Sequence, residues 1–174
     1  MSAIQKILAR INGKIQQITP INVSTGAADG NKLFATSSDG KIHPSFLPQG
    51  IGPTLLVAPA TENLSAGNFV QTFTSEGVMK IRLADNSNGR AANGFVTEAV
   101  AIGENATVYP LDSINSNLTG LVAANDYWLG VAGGVIATPL DASDDLNTGK
   151  VCQYLGRASS VTELVTTDDT PVYL

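Results

Sequence analysis

From Thr54 onward, short apolar runs alternate with turn residues at the spacing of strands rather than helices. TLLVA (54–58), NFVQTFT (68–74), VMKIRLA (78–84), GFVTEAVA (94–101) and ATVYPL (106–111) each predict a strand. So do GLVAAN (120–125), DYWLGVA (126–132), VIATPL (135–140), KVCQYLGRA (150–158), TELVTT (162–167) and PVYL (171–174). Within 78–84 the two-residue period is explicit: Val78, Lys80 and Arg82 interleave with Met79, Ile81 and Leu83. Glu76-Gly77 marks the turn before it, and DNSNGRAAN (85–93) is a loop that places Asn86 and Asn88 in solvent. Many short strands with Gly and Asn turns predict an all-β fold, a small antiparallel β-barrel or β-sandwich.

The first twenty residues follow a different pattern. Ile4, Leu8, Ile11, Ile15 and Ile18 are spaced four, three, four and three apart. That is a heptad seam, and isoleucine at its core positions favours three or more helices, hence a homotrimer. Asn12-Gly13 interrupts the seam, and Asn-Gly between apolar runs is the strongest short-range hairpin signal, which would pair ILARI with KIQQI. Helix and hairpin both stand at this point. Pro20 ends the element, and its exposed apolar face needs a partner, because a lone short helix or hairpin is marginal in water.

A connector follows from Thr25 to Pro48, dense in turn chemistry at Gly26, Gly30 and Gly40. It also carries Leu33-Phe34-Ala35 and Phe46-Leu47, too little to bury itself and too apolar for a solvated linker. This reads as a pleated connector lying against another surface. Gly50-Ile51-Gly52-Pro53 makes a hinge, so the chain divides into an arm and connector, 1–52, and an all-β domain, 53–174.

Charge and composition narrow the function. The chain of 174 residues has a net charge of −5 and 14% charged residues, well below the usual quarter, with Asn, Ser and Thr in their place. No run of Lys or Arg offers the basic stripe that nucleic acid requires. No stretch approaches a membrane span, and the first residues lack the apolar core of a secretory signal, so assembly in a cytosol is expected. Cys152, the one cysteine, sits in an apolar run and reads as a buried, inert thiol.

Candidate chemistry is sparse. His43 is the single histidine, and no G-x-S-x-G occurs to supply a nucleophile. Asp141, Asp144, Asp145, Asp168 and Asp169 could in principle form paired carboxylates for glycan cleavage, but they lie among Ser, Thr and Asn and read as solvated turns. Asp145, Asn147 and Gly149 match part of a calcium loop without its full ligand series. Asn-x-Ser/Thr triplets at Asn63, Asn105 and Asn117 are what this composition yields by chance. No catalytic, cofactor or metal site is expected, and no enzyme.

The connector motif DGKIHPSFLP and the motifs LSAGNFV, ANGFVTEAV, TGLVAANDYWLG with VAGGVIATP, and VCQYLGRASSVTEL resemble those of tailed-phage fibre and head-decoration proteins. Each motif joins a small turn to a strand with large residues, Phe95, Tyr127, Trp128 and Tyr154, read as inward-facing. Position 124 is Ala where such modules commonly have glycine, so that turn is expected to differ. The resemblance implies a virion protein decorating the capsid, assembled in the host bacterial cytoplasm, with the major capsid protein as partner. It would dock through Ile4, Leu8, Ile11, Ile15, Ile18, Leu33, Phe34, Phe46 and Leu47. The alternative it implies is a tail-fibre or baseplate adhesin, binding a host-surface glycan through exposed Trp128 or tyrosines. One arm, one connector and one module suit a small subunit present in many copies better than a long fibre.

Overall fold

The computed structural model describes residues 6–36, 40–43, 46–47 and 55–174. The chain forms two compact units, 1–52 and 53–174. In the first, β1 (Ile7–Ile11) and β2 (Lys14–Ile18) pair antiparallel, so the arm is a hairpin. Asn12 and Gly13 make its two-residue turn, both with positive φ (50° and 79°). That geometry matches the right-handed twist of the flanking strands, and Asn-Gly adopts it at little cost. The local turn overrides the heptad spacing. Among its described residues the connector is not pleated: a 3-10 turn at Ala27–Asp29 and one bridge from Ile21 to Phe34 organise it. The hinge at 50–53 and four residues of DGKIHPSFLP, at 39, 44, 45 and 48, lie outside the described residues.

The second unit is all-β and antiparallel, with no closed barrel. Its first sheet has the order β3-β7-β6-β4-β5, built from Leu56–Pro59, Asn105–Pro110, Gly94–Val96, Phe69–Ser75 and Val78–Leu83. The second has the order β10-β9-β12-β13-β8: Val135–Ile136, Asp126–Leu129, Tyr154–Ala158, Leu164–Thr166 and Ile114–Asn115. A small pair, β11 (Val151–Cys152) with β14 (Val172–Tyr173), stands beside them.

The first sheet buries both faces, and its sequence shows why. Phe69 and Phe95 point to one side and join Tyr127, Leu129, Leu155 and Leu164 of the second sheet in a shared core. The next residues, Val70 and Val96, point to the other side and meet Ala58, Leu64, Ile81, Ala106 and Val108. Small side chains there let the sheet curl until its edge strands meet at one parallel bridge, Ala60 to Ile81. Central strands buried on both faces read as unbroken apolar runs, as GFV does.

The structure corrects several expectations. KVCQYLGRA is two strands rather than one, because Gln153 between them turns inward. Its Oε1 accepts from the Ala92 amide at 2.7 Å and its Nε2 donates to the Ala92 carbonyl at 3.0 Å. Asn86 is buried, not solvent-facing, and donates to the Leu129 carbonyl. Trp128 and Tyr154 face outward, half-exposed, with their rings 5.6 Å apart edge to face, while Phe95 and Tyr127 are buried as expected. Cys152 is half-buried. Leu155 forms a bulge against β9, and at Gly156 (φ 143°) a Cβ would lie 2.0 Å from the Val165 carbonyl, so only glycine fits.

Candidate docking surface

Register decides what the hairpin presents. Directly opposed residues share a face, so Ile7 with Ile18, Ala9 with Gln16, and Ile11 with Lys14 form one side. Leu8 with Gln17 and Arg10 with Ile15 form the other. The expected single apolar side is therefore corrected: Leu8 and Ile15 stand diagonally on one face, Ile11 and Ile18 on the opposite one. Ile4 lies outside the described residues. Leu8 and Ile15 leave 71% and 76% of their surface in water. Ile7, at 46%, completes the second face and was missed from the heptad reading because it falls off that seam. Without a helix, the expected homotrimer loses its coiled-coil support.

In the connector, the Ile21 amide donates to the Leu33 carbonyl and the Ala35 amide to the Ile21 carbonyl, at 2.9 and 2.8 Å. These bonds hold Leu33 and Phe34 outward, both exposed. Phe34 stacks at a tilt on half-buried Phe46, with ring centroids 5.5 Å apart, and Leu47 is exposed. Four of the nine expected docking residues thus belong to the connector, and two of them touch. Ile42 adds a further exposed side chain that periodicity did not reveal.

Asp29 locks the connector's turn. Its carboxylate accepts from Lys32 Nζ at 2.6 Å and from the Thr25 amide and hydroxyl at 2.5 and 2.8 Å. The lysine first, then the two threonine bonds, hold its pKa down at about 2.

The acidic residues singled out in the sequence make turns. Asp141 accepts from the amide and hydroxyl of Ser143, and Asp144 from the Leu146 amide. Asn147 donates to the Asp141 carbonyl and accepts from Lys150, so its side chain staples the loop. Asp169 accepts from the Thr170 amide, and the Asp168 amide donates to Asp112. His43 is half-buried in the connector.

The chain is similar to a phage head-fibre base. The solved structure is that of the N base of head fibre gp8.5 of bacteriophage phi29, at 17% identity and a TM-score of 0.44, covering 67% of this chain and 95% of that one. A TM-score of this size leaves the two backbones different over much of their length. No family model matches the chain. No curated protein matches it either.

Proposed function

We propose that this protein is a structural component of a tailed-phage head, attached to the shell through its hairpin and connector and displaying the β-domain. The motif resemblance motivates the reading, and one observation carries it: the hairpin keeps Leu8 and Ile15 on one face and Ile7, Ile11 and Ile18 on the other, most of them in water. Each such side chain, once buried, contributes about 1.5–3 kcal/mol. With apolar residues on both faces, the hairpin suits insertion between two surfaces of a shell better than resting on one. The outer edges of a two-stranded sheet can also pair with a shell strand. A subunit that binds only the mature arrangement of the shell stabilises it by mass action.

The test is binding to purified mature shells. Leu8→Asp with Ile15→Asp, and separately Ile7→Asp with Ile18→Asp, force charges into an apolar contact at a cost of several kcal/mol. Both pairs are expected to abolish binding while the melting of the β-domain is unchanged. Asn88→Lys, on an exposed loop, is expected to bind normally. Loss of binding in the loop variant with retention in both arm variants would place the attachment on the domain and overturn the reading.

A further inference from the structure

A polar cleft of about 410 Å³ opens on the β-domain, beside the Asp168–Pro171 loop. Its size falls in the range of small-molecule sites. Its floor includes Ala92 and Gln153, fixed to each other by the two buried amide bonds described above. One wall holds Thr72 and Asn93, tied together by Asn93 Oδ1, which accepts from the Thr72 amide at 2.9 Å and its hydroxyl at 3.1 Å. The other holds Asp168, Asp169 and the exposed ring of Tyr173. Floor and first wall are thus set before any ligand arrives, which lowers the ordering cost of binding.

We propose that this cleft binds a neutral pyranose sugar. The chemistry of the lining selects that class. Among the described residues, Asn93 Nδ2 and the Asp168 carboxylate make no bond to the chain and remain available. A carboxylate accepts from paired sugar hydroxyls, an amide nitrogen donates to a hydroxyl or ring oxygen, and a tyrosine face packs against the C–H side of the ring. Two carboxylates and no lysine or arginine in the lining reject phosphate and acidic sugars. Arg82 is turned to Gln71 Oε1 and lies over the Phe73 ring, 4.3 Å from its centroid. The lining offers no apolar wall to hold a lipid. Among the described residues no three His, Cys, Asp or Glu converge on a cation.

The experiment is a titration of the isotope-labelled full-length protein with glucose, galactose, N-acetylglucosamine and N-acetylgalactosamine, read by amide chemical shifts. At least one is expected to bind at millimolar concentration and to shift Thr72, Asn93, Tyr173 and the 168–170 amides together. Asp168→Asn is expected to weaken that binding about tenfold, the worth of one charge-assisted hydrogen bond, and Tyr173→Ala to weaken it by a similar factor through the lost packing of its ring. N-acetylneuraminic acid is expected to leave the same amides in place. Silence across the four neutral sugars overturns the proposal, as does equal binding of the acidic sugar. Shifts centred on Trp128, or a response of these amides to calcium chloride alone, overturn it too. No shell is present, so this outcome is independent of the attachment test.

Discussion

Ile15 in the hairpin leaves 76% of its surface in water, and Ile81 in the β-domain leaves none. Both sit in antiparallel hairpins with tight turns, Asn12-Gly13 and Glu76-Gly77, whose central residues all have positive φ. The difference lies in what each hairpin is given to lie on. Strands β4 and β5 belong to a five-stranded sheet that buries residues on both sides. Strands β1 and β2 form a sheet of two, and apolar residues on both of its faces meet water. Residue type sets the tendency to bury; sheet size decides whether the chain can satisfy it alone.

That contrast breaks most visibly in the core. Phe95→Ala removes a fully buried ring packed against Phe69 and Tyr109, and about 3–5 kcal/mol of domain stability is expected to go with it. Denaturant melts followed at Trp128 measure it. A chain shortened to begin at residue 53 is expected to melt at the full-length temperature, whereas a loss as large as that of Phe95→Ala would mean the arm belongs to the core.

A smaller effect is expected at Ala124. It is the third residue of a turn closed by the Asn125 amide on the Val122 carbonyl, with φ 67°. At this position, where the resemblance expects glycine, the alanine takes the left-handed conformation that glycine favours. Relief of that strain outweighs the added freedom of the unfolded chain. Ala124→Gly is thus expected to stabilise the domain by about 0.5 kcal/mol, read as a raised midpoint in the same melts; a lowered midpoint refutes the account.

The smallest effect is confined to the connector. A carboxylate whose pKa is depressed on folding contributes stability that is full above its unfolded value and is lost as pH falls through its folded value. For Asp29 that window runs from its ordinary 3.8 down to about 2. Carboxyl NMR is expected to place its midpoint near the lower figure, and the Thr25 amide to lose its downfield shift in the same range. A midpoint at the ordinary value would show that the turn does not hold in solution.

Strands were legible in 68–84, where the Glu76-Gly77 turn and the register follow the alternation, whereas GLVAAN (120–125) makes a turn and no strand. The arm was ambiguous because two signals competed, and the nearer one, Asn12-Gly13, prevailed over a seam that needed partner helices. The strand over 135–140 shrank to Val135–Ile136, since an apolar run with no neighbour beyond it gains no ladder. Buried amides were invisible. Asn86, Asn115 and Gln153 look like surface residues by type, yet each donates to a backbone carbonyl far away in sequence, of Leu129, Gly67 and Ala92. Among the described residues no buried side-chain nitrogen or oxygen lacks a partner. The expected docking residues were chosen for being apolar, and their division between the two faces of the hairpin needed the register.

The curl of the first sheet also implies an order of assembly. Strands β4 and β5 are neighbours in sequence and can close on the microsecond scale typical of hairpins. The contacts that bend the sheet, Ala60 to Ile81 and the Thr61 amide on the Ile81 carbonyl at 2.8 Å, join its two edges and close a longer loop than the two-residue turn of that hairpin. Ile81 therefore takes part in an early event through one face of its backbone and a late one through the other. In a folding experiment the amides of 70–83 that pair within the hairpin are expected to gain protection before that of Thr61, so the bond that draws the edges of the sheet together would follow the hairpin rather than precede it.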